Sequence, residues 1–238
     1  MSEFVYYDCH MHALGEQKGG ILIALDGRRG SDGGYSNSDV IEIAKSAENV
    51  FPAQYITYEF QDDICTEIIK YHPRRELYTY EEVCNDIATK RGTSKLIVVD
   101  TLNQPNWQPN DYWELARRFP DKQFLMSHTG GLDILQFINM AMYQPNVWID
   151  FSFVQHIFGW SGDEQAMPVI CQTIDYMLDN KRLRHKILFG SDNMTNEEDH
   201  AYCALKKYKE YASFTEVTVS NHLNIIERSN ITNGGVVR

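Results

Sequence analysis

Residues 4–12 read Phe4-Val5-Tyr6-Tyr7-Asp8-Cys9-His10-Met11-His12. An apolar, aromatic-rich run of this kind is strand-like. Side chains two apart on a strand share one face. His10 and His12 are therefore expected to project together from the C-terminal end of a first strand. Two imidazoles so placed can chelate a first-row divalent metal. Two loop histidines bonded to backbone carbonyls would show the same spacing. Cys9, between them, is expected to face the opposite way, into packing between strand and helix.

Outward from this stretch, short apolar runs alternate with amphipathic ones. Candidate strands after Phe4–Tyr7 are Gly20–Leu25, Ala53–Thr57, Ile64–Tyr71, Lys95–Val99, Gln123–Ser127, Val147–Asp150 and Ile187–Gly190. Helices are predicted between most of them. Ser38 is expected to cap Asp39–Ala47, and Thr79 to cap Tyr80–Lys90 with Glu82 as its capping-box partner. Further helices are predicted from Asn110 or Asp111 to Arg118, then over Leu132–Tyr143, Met167–Asn180, Glu197–Ala212 and Asn221–Arg228. This order reads as parallel βαβ units. An open doubly wound sheet and a closed (β/α)8 barrel both fit it. A length of 238 residues matches a single barrel, typically about 250 residues.

Three other strand ends carry chemistry. Phe124–Gly131 runs from an apolar strand through His128 into Gly130-Gly131, which permit a tight turn. Ile187–Asp192 ends in a carboxylate, read either as a metal ligand or proton acceptor, or as a helix N-cap. Ile68–Arg75 carries Lys70 and His72 on one strand face. Arg74 beyond them can grip a substrate carboxylate or sit solvated beside Arg75. In a parallel barrel all such ends meet at one face. Scattered weak signals then become one site.

Composition excludes several classes. Hydrophobic residues make up 43% and charged residues 23%, as in an ordinary globular chain. The net charge of −11 disfavours broad binding to nucleic acid or anionic membranes. Five scattered cysteines with no CxxC pair argue against a disulfide framework or a cysteine zinc site. No secretory leader is expected from the opening residues, and no apolar run approaches the ~20 residues of a membrane helix. The expected location is the cytoplasm. The glycine-rich stretch Gly27–Tyr35 lacks the order of a phosphate loop and reads as a loop after the second strand, a candidate lid.

The ordered set of motifs resembles the amidohydrolase superfamily, most closely its amidohydrolase-2 branch, over nearly the whole chain. Asp8–His12 is similar to the family's strand-1 HxH motif, Lys70–Arg74 to its strand-4 K-x-H-P-R pattern and Ser127–Gly131 to its strand-6 H-x-G-G pattern. Val147–Ser152 is similar to the seventh strand, and Gly190–Asp192 to the eighth-strand G-[ST]-D. The resemblance implies one (β/α)8 TIM barrel spanning 1–238. It implies a hydrolase acting on an ester, lactone or amide bond through metal-activated water. The barrel mouth as the only evident pocket points to a small substrate, and Arg74, if it faces in, to an acidic group on it. His10, His12 and Asp192 would be metal ligands, Asp192 also the base. His128 would stabilise the developing oxyanion, and His72 and Arg74 would line the substrate pocket. Zinc is the first expectation for the metal, manganese the second.

One departure stands out. Asp100 occupies the place where many relatives have a strand-5 histidine ligand. It is carried as a fourth ligand, of harder and more anionic character. Lys70 does not end its strand as a bridging carbamate ligand should, and receives no such role. Alternatives on the same fold are a decarboxylase, a metal-free lactonase, a phosphoesterase and a catalytically silent binding barrel. Expected partners are a small-molecule substrate and, as an open option, further copies of the chain in a homo-oligomer; neither nucleic acid nor membrane is expected.

Overall fold

The computed structural model describes residues 6–14, 19–25, 34–102, 105–152, 166–192 and 212–232. Eight strands lie in chain order in one sheet. They are β1 (Tyr7–Met11), β2 (Gly19–Ile23), β3 (Val50–Tyr55), β4 (Ile68–Tyr71), β5 (Leu96–Asp100), β6 (Gln123–Ser127), β7 (Val147–Asp150) and β8 (Ile187–Leu188). Every neighbouring pair is parallel. The sheet nearly closes on itself. Cys9 N–H donates to the Phe189 carbonyl at 2.8 Å, and Asp192 N–H donates to the His10 carbonyl at 2.7 Å. These bonds tie the chain after β8 to β1. Between and after the strands lie helices α1 (Asn37–Ser46), α2 (Pro73–Glu76), α3 (Tyr80–Lys90), α4 (Pro109–Arg118), α5 (Ile134–Tyr143), α6 (Ala166–Asp179) and α7 (Ala212–Arg228). The expected single TIM barrel is the fold found.

Period-two alternation divides each strand between two apolar layers. Ile68, Leu96, Val98, Leu125 and Leu188 fill the barrel interior with Trp148. Their neighbours Ile69, Ile97, Val99, Phe124 and Ile149 face outward, packing with Val83 of α3, Leu115 of α4 and Phe137 of α5. Strands apolar on both faces are what a helix-covered parallel sheet needs. Helix α7 closes the floor. Its Ile225 joins the interior cluster, and Asn221 Nδ2 donates to the carbonyls of Arg184 (2.7 Å) and Ile187 (2.8 Å) where β8 begins. Among the described residues no helix is long and apolar enough to cross a membrane.

Local differences from the sequence reading have physical causes. The α1 cap is Ser36, two residues before Ser38. Its side chain accepts the Asp39 N–H, and Asp39 returns a bond to the Ser36 backbone. The Thr79–Glu82 box opens α3 as expected. The strand pairing of β1 with β2 is irregular between Asp8 and Met11. That irregularity breaks the alternation, as a bulge does. Cys9 therefore packs inside the barrel, against the expectation that it faces the helices, while Met11 packs outward with Val40 and Ala44 of α1. The expected helix Glu197–Ala212, most of the loop Gly27–Tyr35 and the start of the first expected strand lie outside the described residues.

Candidate active site

The C-terminal strand ends converge on a buried polar cluster. In β1 the Asp8 carboxylate ties the entrance together, accepting the backbone N–H groups of His10 and Ser191 at 3.0 Å each and the Ser191 hydroxyl at 2.5 Å. This pins the chain after β8 beside His10. A side chain at Gly190 would collide there: a Cβ would lie 2.8 Å from His10 Cβ and 3.2 Å from Asp150 Cγ.

The two β1 histidines are both fully buried. His12 Nδ1 lies 2.9 Å from the Ile23 carbonyl. A carbonyl only accepts, so Nδ1 carries the proton. Burial holds His12 below its ordinary value, which leaves a lone pair on Nε2. That lone pair faces Asp192 Oδ1 at 3.2 Å. Burial, then the nearby Lys70 ammonium, lowers His10 to about 4, so it too is neutral. Its Nδ1 lies 2.9 Å from Ser152 Oγ and 3.4 Å from Asp150 Oδ2. Its Nε2 lies 3.4 Å from Asp192 Oδ1 and accepts from Lys70 Nζ at 2.7 Å.

Across the mouth, Asp100 Oδ2 is shared by two imidazoles. His72 Nε2 is 3.2 Å away and His128 Nε2 3.1 Å away. Asp100 Oδ1 accepts the Leu102 N–H at 3.1 Å. His128 Nδ1 bonds the Ser152 carbonyl at 2.9 Å. With an oxygen acceptor at each nitrogen, His128 is built to be an imidazolium. Burial opposes its charge, but Asp100, Asp192 and Asp150 outweigh burial and push it up to about 9. His72 goes the other way. Burial dominates there and lowers it to about 3, and its buried Nδ1 has no partner among the described residues.

β7 supplies the supporting carboxylate. Asp150 Oδ1 accepts the backbone N–H groups of His128 (3.0 Å) and Ser152 (2.9 Å) and the Ser152 hydroxyl. These bonds hold an unusual backbone. His128 has φ 64°, Thr129 φ 45° and Asp192 φ 59°, all left-handed and none a glycine. Each such residue costs about 1–3 kcal/mol, and such residues cluster at functional sites. The glycines at 130 and 131, also at positive φ, complete the turn the sequence suggests. Asp192 is held well below the usual carboxylate range. Burial resists ionisation, but the histidines gathered around it, His12, His10 and His128, prevail.

The donor set suits a cation. His10 Nε2 and His12 Nε2 are acceptors that both face Asp192 Oδ1, an arrangement that repels unless something positive lies between. The 3.2 and 3.4 Å separations from Asp192 Oδ1 match the edge of a tetrahedron with zinc-like bonds, about 3.3 Å. His10, His128 and Asp192 each bring one potential ligand atom within 4.8 Å of the others. An imidazolium at His128, however, has no lone pair to give.

The sequence-predicted residues therefore divide. His10, His12, His128, Asp192 and Asp100 all meet at the mouth, with His72 behind Asp100. Neither His12 nor Asp100 is in the three-residue cluster, and Asp100 has both oxygens engaged. Arg74 is exposed on α2, near enough to His72 for its charge to be felt there. Lys70, Asp150 and Ser152 belong to the site although the sequence reading gives them no role in it. Lys70 is an ammonium-bearing residue inside an apolar strand, and that is the signal it offers. Residues 27–33 of the glycine-rich loop lie outside the described residues.

The fold is a TIM barrel with a buried polar cluster at its C-terminal mouth, and a family match supports an enzyme of the hydrolase kind. The chain belongs to the amidohydrolase family, whose family model, described as Amidohydrolase, matches residues 96–216. That span includes Asp100, His128, Asp150 and Asp192. No curated protein matches the chain. Among solved structures, an uncharacterized TIM-barrel protein from Bordetella bronchiseptica is 18% identical, with a TM-score of 0.54, covering 89% of this chain and 78% of that one. A probable 2-pyrone-4,6-dicarboxylic acid hydrolase from Acinetobacter baumannii, solved with citric acid bound, is 10% identical, with a TM-score of 0.61, covering 93% of this chain and 99% of that one. At these identities the likeness is one of fold.

Proposed function

We propose that the protein hydrolyses a C–O or C–N bond (ester, lactone or amide) in a small acidic molecule, with a divalent metal held by His10, His12 and Asp192. The carrying observation is that two imidazole acceptors face one carboxylate oxygen, Asp192 Oδ1 lying 3.2 Å from His12 Nε2 and 3.4 Å from His10 Nε2. When bound, zinc, or manganese as the alternative, supplies Lewis acidity that polarises a carbonyl and makes water nucleophilic at neutral pH. Asp192, ionised and partly exposed, takes the proton from the attacking water and returns it to the leaving group. The positive charge of the His128 imidazolium, whose two N–H groups are held by Asp100 and the Ser152 carbonyl, stabilises the oxyanion that develops on the substrate through space. Asp100 is assigned an orienting role in place of a ligand one, since two histidines already share its Oδ2. His72 and Arg74 are assigned to the substrate side, with Arg74 meeting an acidic group. The fold neighbour named for hydrolysis of a pyrone dicarboxylate, an acidic lactone, supports that class. Free Cys9, Cys65 and Cys84 accord with a reducing, cytoplasmic setting.

A second reading, metal-free opening of a lactone, is favoured by the Lys70 ammonium resting on His10 Nε2. Metal content separates the two. The protein, purified without chelator or metal-affinity resin, is expected to carry near one equivalent of metal by mass spectrometry, lost in His10→Ala/His12→Ala. Turnover on an ester and lactone panel is expected to vanish with chelation and return with zinc or manganese. Full turnover after complete metal removal would sink the first reading and leave the second.

A further inference from the structure

Lys70 is the third residue of β4 and is 1% exposed. Lysines are almost never so buried unless paired. Its ammonium has one hydrogen-bond partner among the described residues, His10 Nε2 at 2.7 Å. It forms no direct ion pair there: burial lowers its pKa below the ordinary lysine value, and the charges of Asp100, Asp192 and Asp150 act against that loss without cancelling it. An imidazole that keeps its proton on Nδ1 has a single lone pair on Nε2. That pair can accept from an ammonium or bind a metal, but not both at once. His10 Nδ1 is already engaged with Ser152 Oγ at 2.9 Å, so the ring has no second face to offer.

We propose that Lys70 is a built-in cation that competes with the metal for His10 Nε2 and so sets the metal affinity of the site. This rests on the reading of His10 and Asp192 as metal ligands. Without metal, the ammonium neutralises the buried carboxylates and keeps His10 in its ligand orientation. With metal, the ammonium must leave His10. Lys70 is thus a positioning residue whose charge opposes metal uptake.

The test is a competition titration of zinc and of manganese against a chromogenic chelator, on wild type, K70M, K70Q and K70R. K70M keeps the chain length and removes the charge. It is expected to bind both metals at least tenfold more tightly than wild type. K70Q, a polar and uncharged variant that remains available should K70M fail to fold, is expected to tighten binding by a smaller factor. K70R keeps the charge and is expected to bind no more tightly than wild type. Affinity unchanged or weakened in K70M and K70Q overturns the proposal, and so does tightening in K70R equal to that in K70M. If all four proteins bind metal equally, the competition fails and the metal-dependent reading stands. If only the uncharged variants bind, the competition stands and the metal-dependent reading falls. If none binds, both fall.

Discussion

At the mouth of the barrel His128 offers both ring nitrogens to oxygen acceptors, whereas at the floor His222, equally buried, has no partner for either nitrogen among the described residues. His222 sits on α7, stacked on Tyr7 with ring centroids 4.9 Å apart and near Phe51 at 6.3 Å. It behaves as a flat apolar plug where β1 and β3 begin. The same residue type is driven in opposite directions. Carboxylates overcome burial and raise His128 to about 9, while burial alone lowers His222 to about 4. The mouth spends stability on charge that chemistry can use. The floor excludes charge and holds the barrel shut. Substitutions at the two ends should therefore separate turnover from stability.

The largest separation is expected at Asp192. Asp192→Asn keeps the shape and the hydrogen-bonding size of the side chain but removes the proton acceptor. We expect kcat on any substrate found in the panel to fall on the order of 10³-fold, with the circular-dichroism spectrum unchanged. His222→Phe should leave kcat and KM as they are. Wild-type turnover in Asp192→Asn would remove the base from the mechanism. A kinetic defect in His222→Phe would dissolve the distinction between the two ends.

The next effect is on stability against pH. The His222 pKa is depressed in the folded protein, so between pH 6.5 and about 4 the unfolded chain binds the extra proton. Stability is whole above 6.5 and declines as pH falls through that window, by about 3 kcal/mol in all. His128 has the opposite sign. Its raised pKa gives stability that is whole below 6.5 and declines as pH rises toward about 9. Denaturant melts across pH should show both limbs, and His222→Phe should flatten the acid limb alone. An acid limb that survives this substitution would belong to carboxylates instead, and the floor histidine would lose its part in the contrast.

Much of the barrel and its mouth is legible in the amino-acid sequence alone. Gln123–Ser127 and Val147–Asp150 are predicted and observed with the same bounds, because strands buried on both faces leave unbroken apolar runs between polar ends. The Thr79–Glu82 box marks its helix because both partners are local in sequence. His10, His12, His128 and Asp192 come together because each follows such a run, and a parallel barrel sends all run ends to one face. The features that are not legible depend on partners distant in the chain. Lys70 looks like an interior residue of its strand until His10, 60 positions away, is brought against it. Asp100 stands where a ligand is expected, yet its bonds run to His72 and His128 from the adjacent strands. Cys9 faces inward because of one irregular step in β1, which no period-two rule anticipates.

The smallest effect tests the seam that brings the β1 histidines into place, again by matching a residue at the mouth with one near the floor. Gly190 lies against His10, Asp150 and Ser152, and an added Cβ would stand 2.8 Å from His10 Cβ. Backbone tied by the Asp192-to-His10 and Cys9-to-Phe189 bonds has little room to yield. Gly190→Ala is therefore expected to cost about 1–3 kcal/mol by overpacking, a fall in Tm of roughly 2–12 °C for a chain of this size. It should also weaken metal binding, since the strain falls on His10. Gly92, in the turn before β5, has nothing within 4 Å of the same added atom. Gly92→Ala is expected to stay within about 0.5 kcal/mol of wild type and to bind metal unchanged. Equal melting temperatures for the two variants would mean that the seam is slack, and that the approach of the β1 histidines to Asp192 is not held by close packing behind His10.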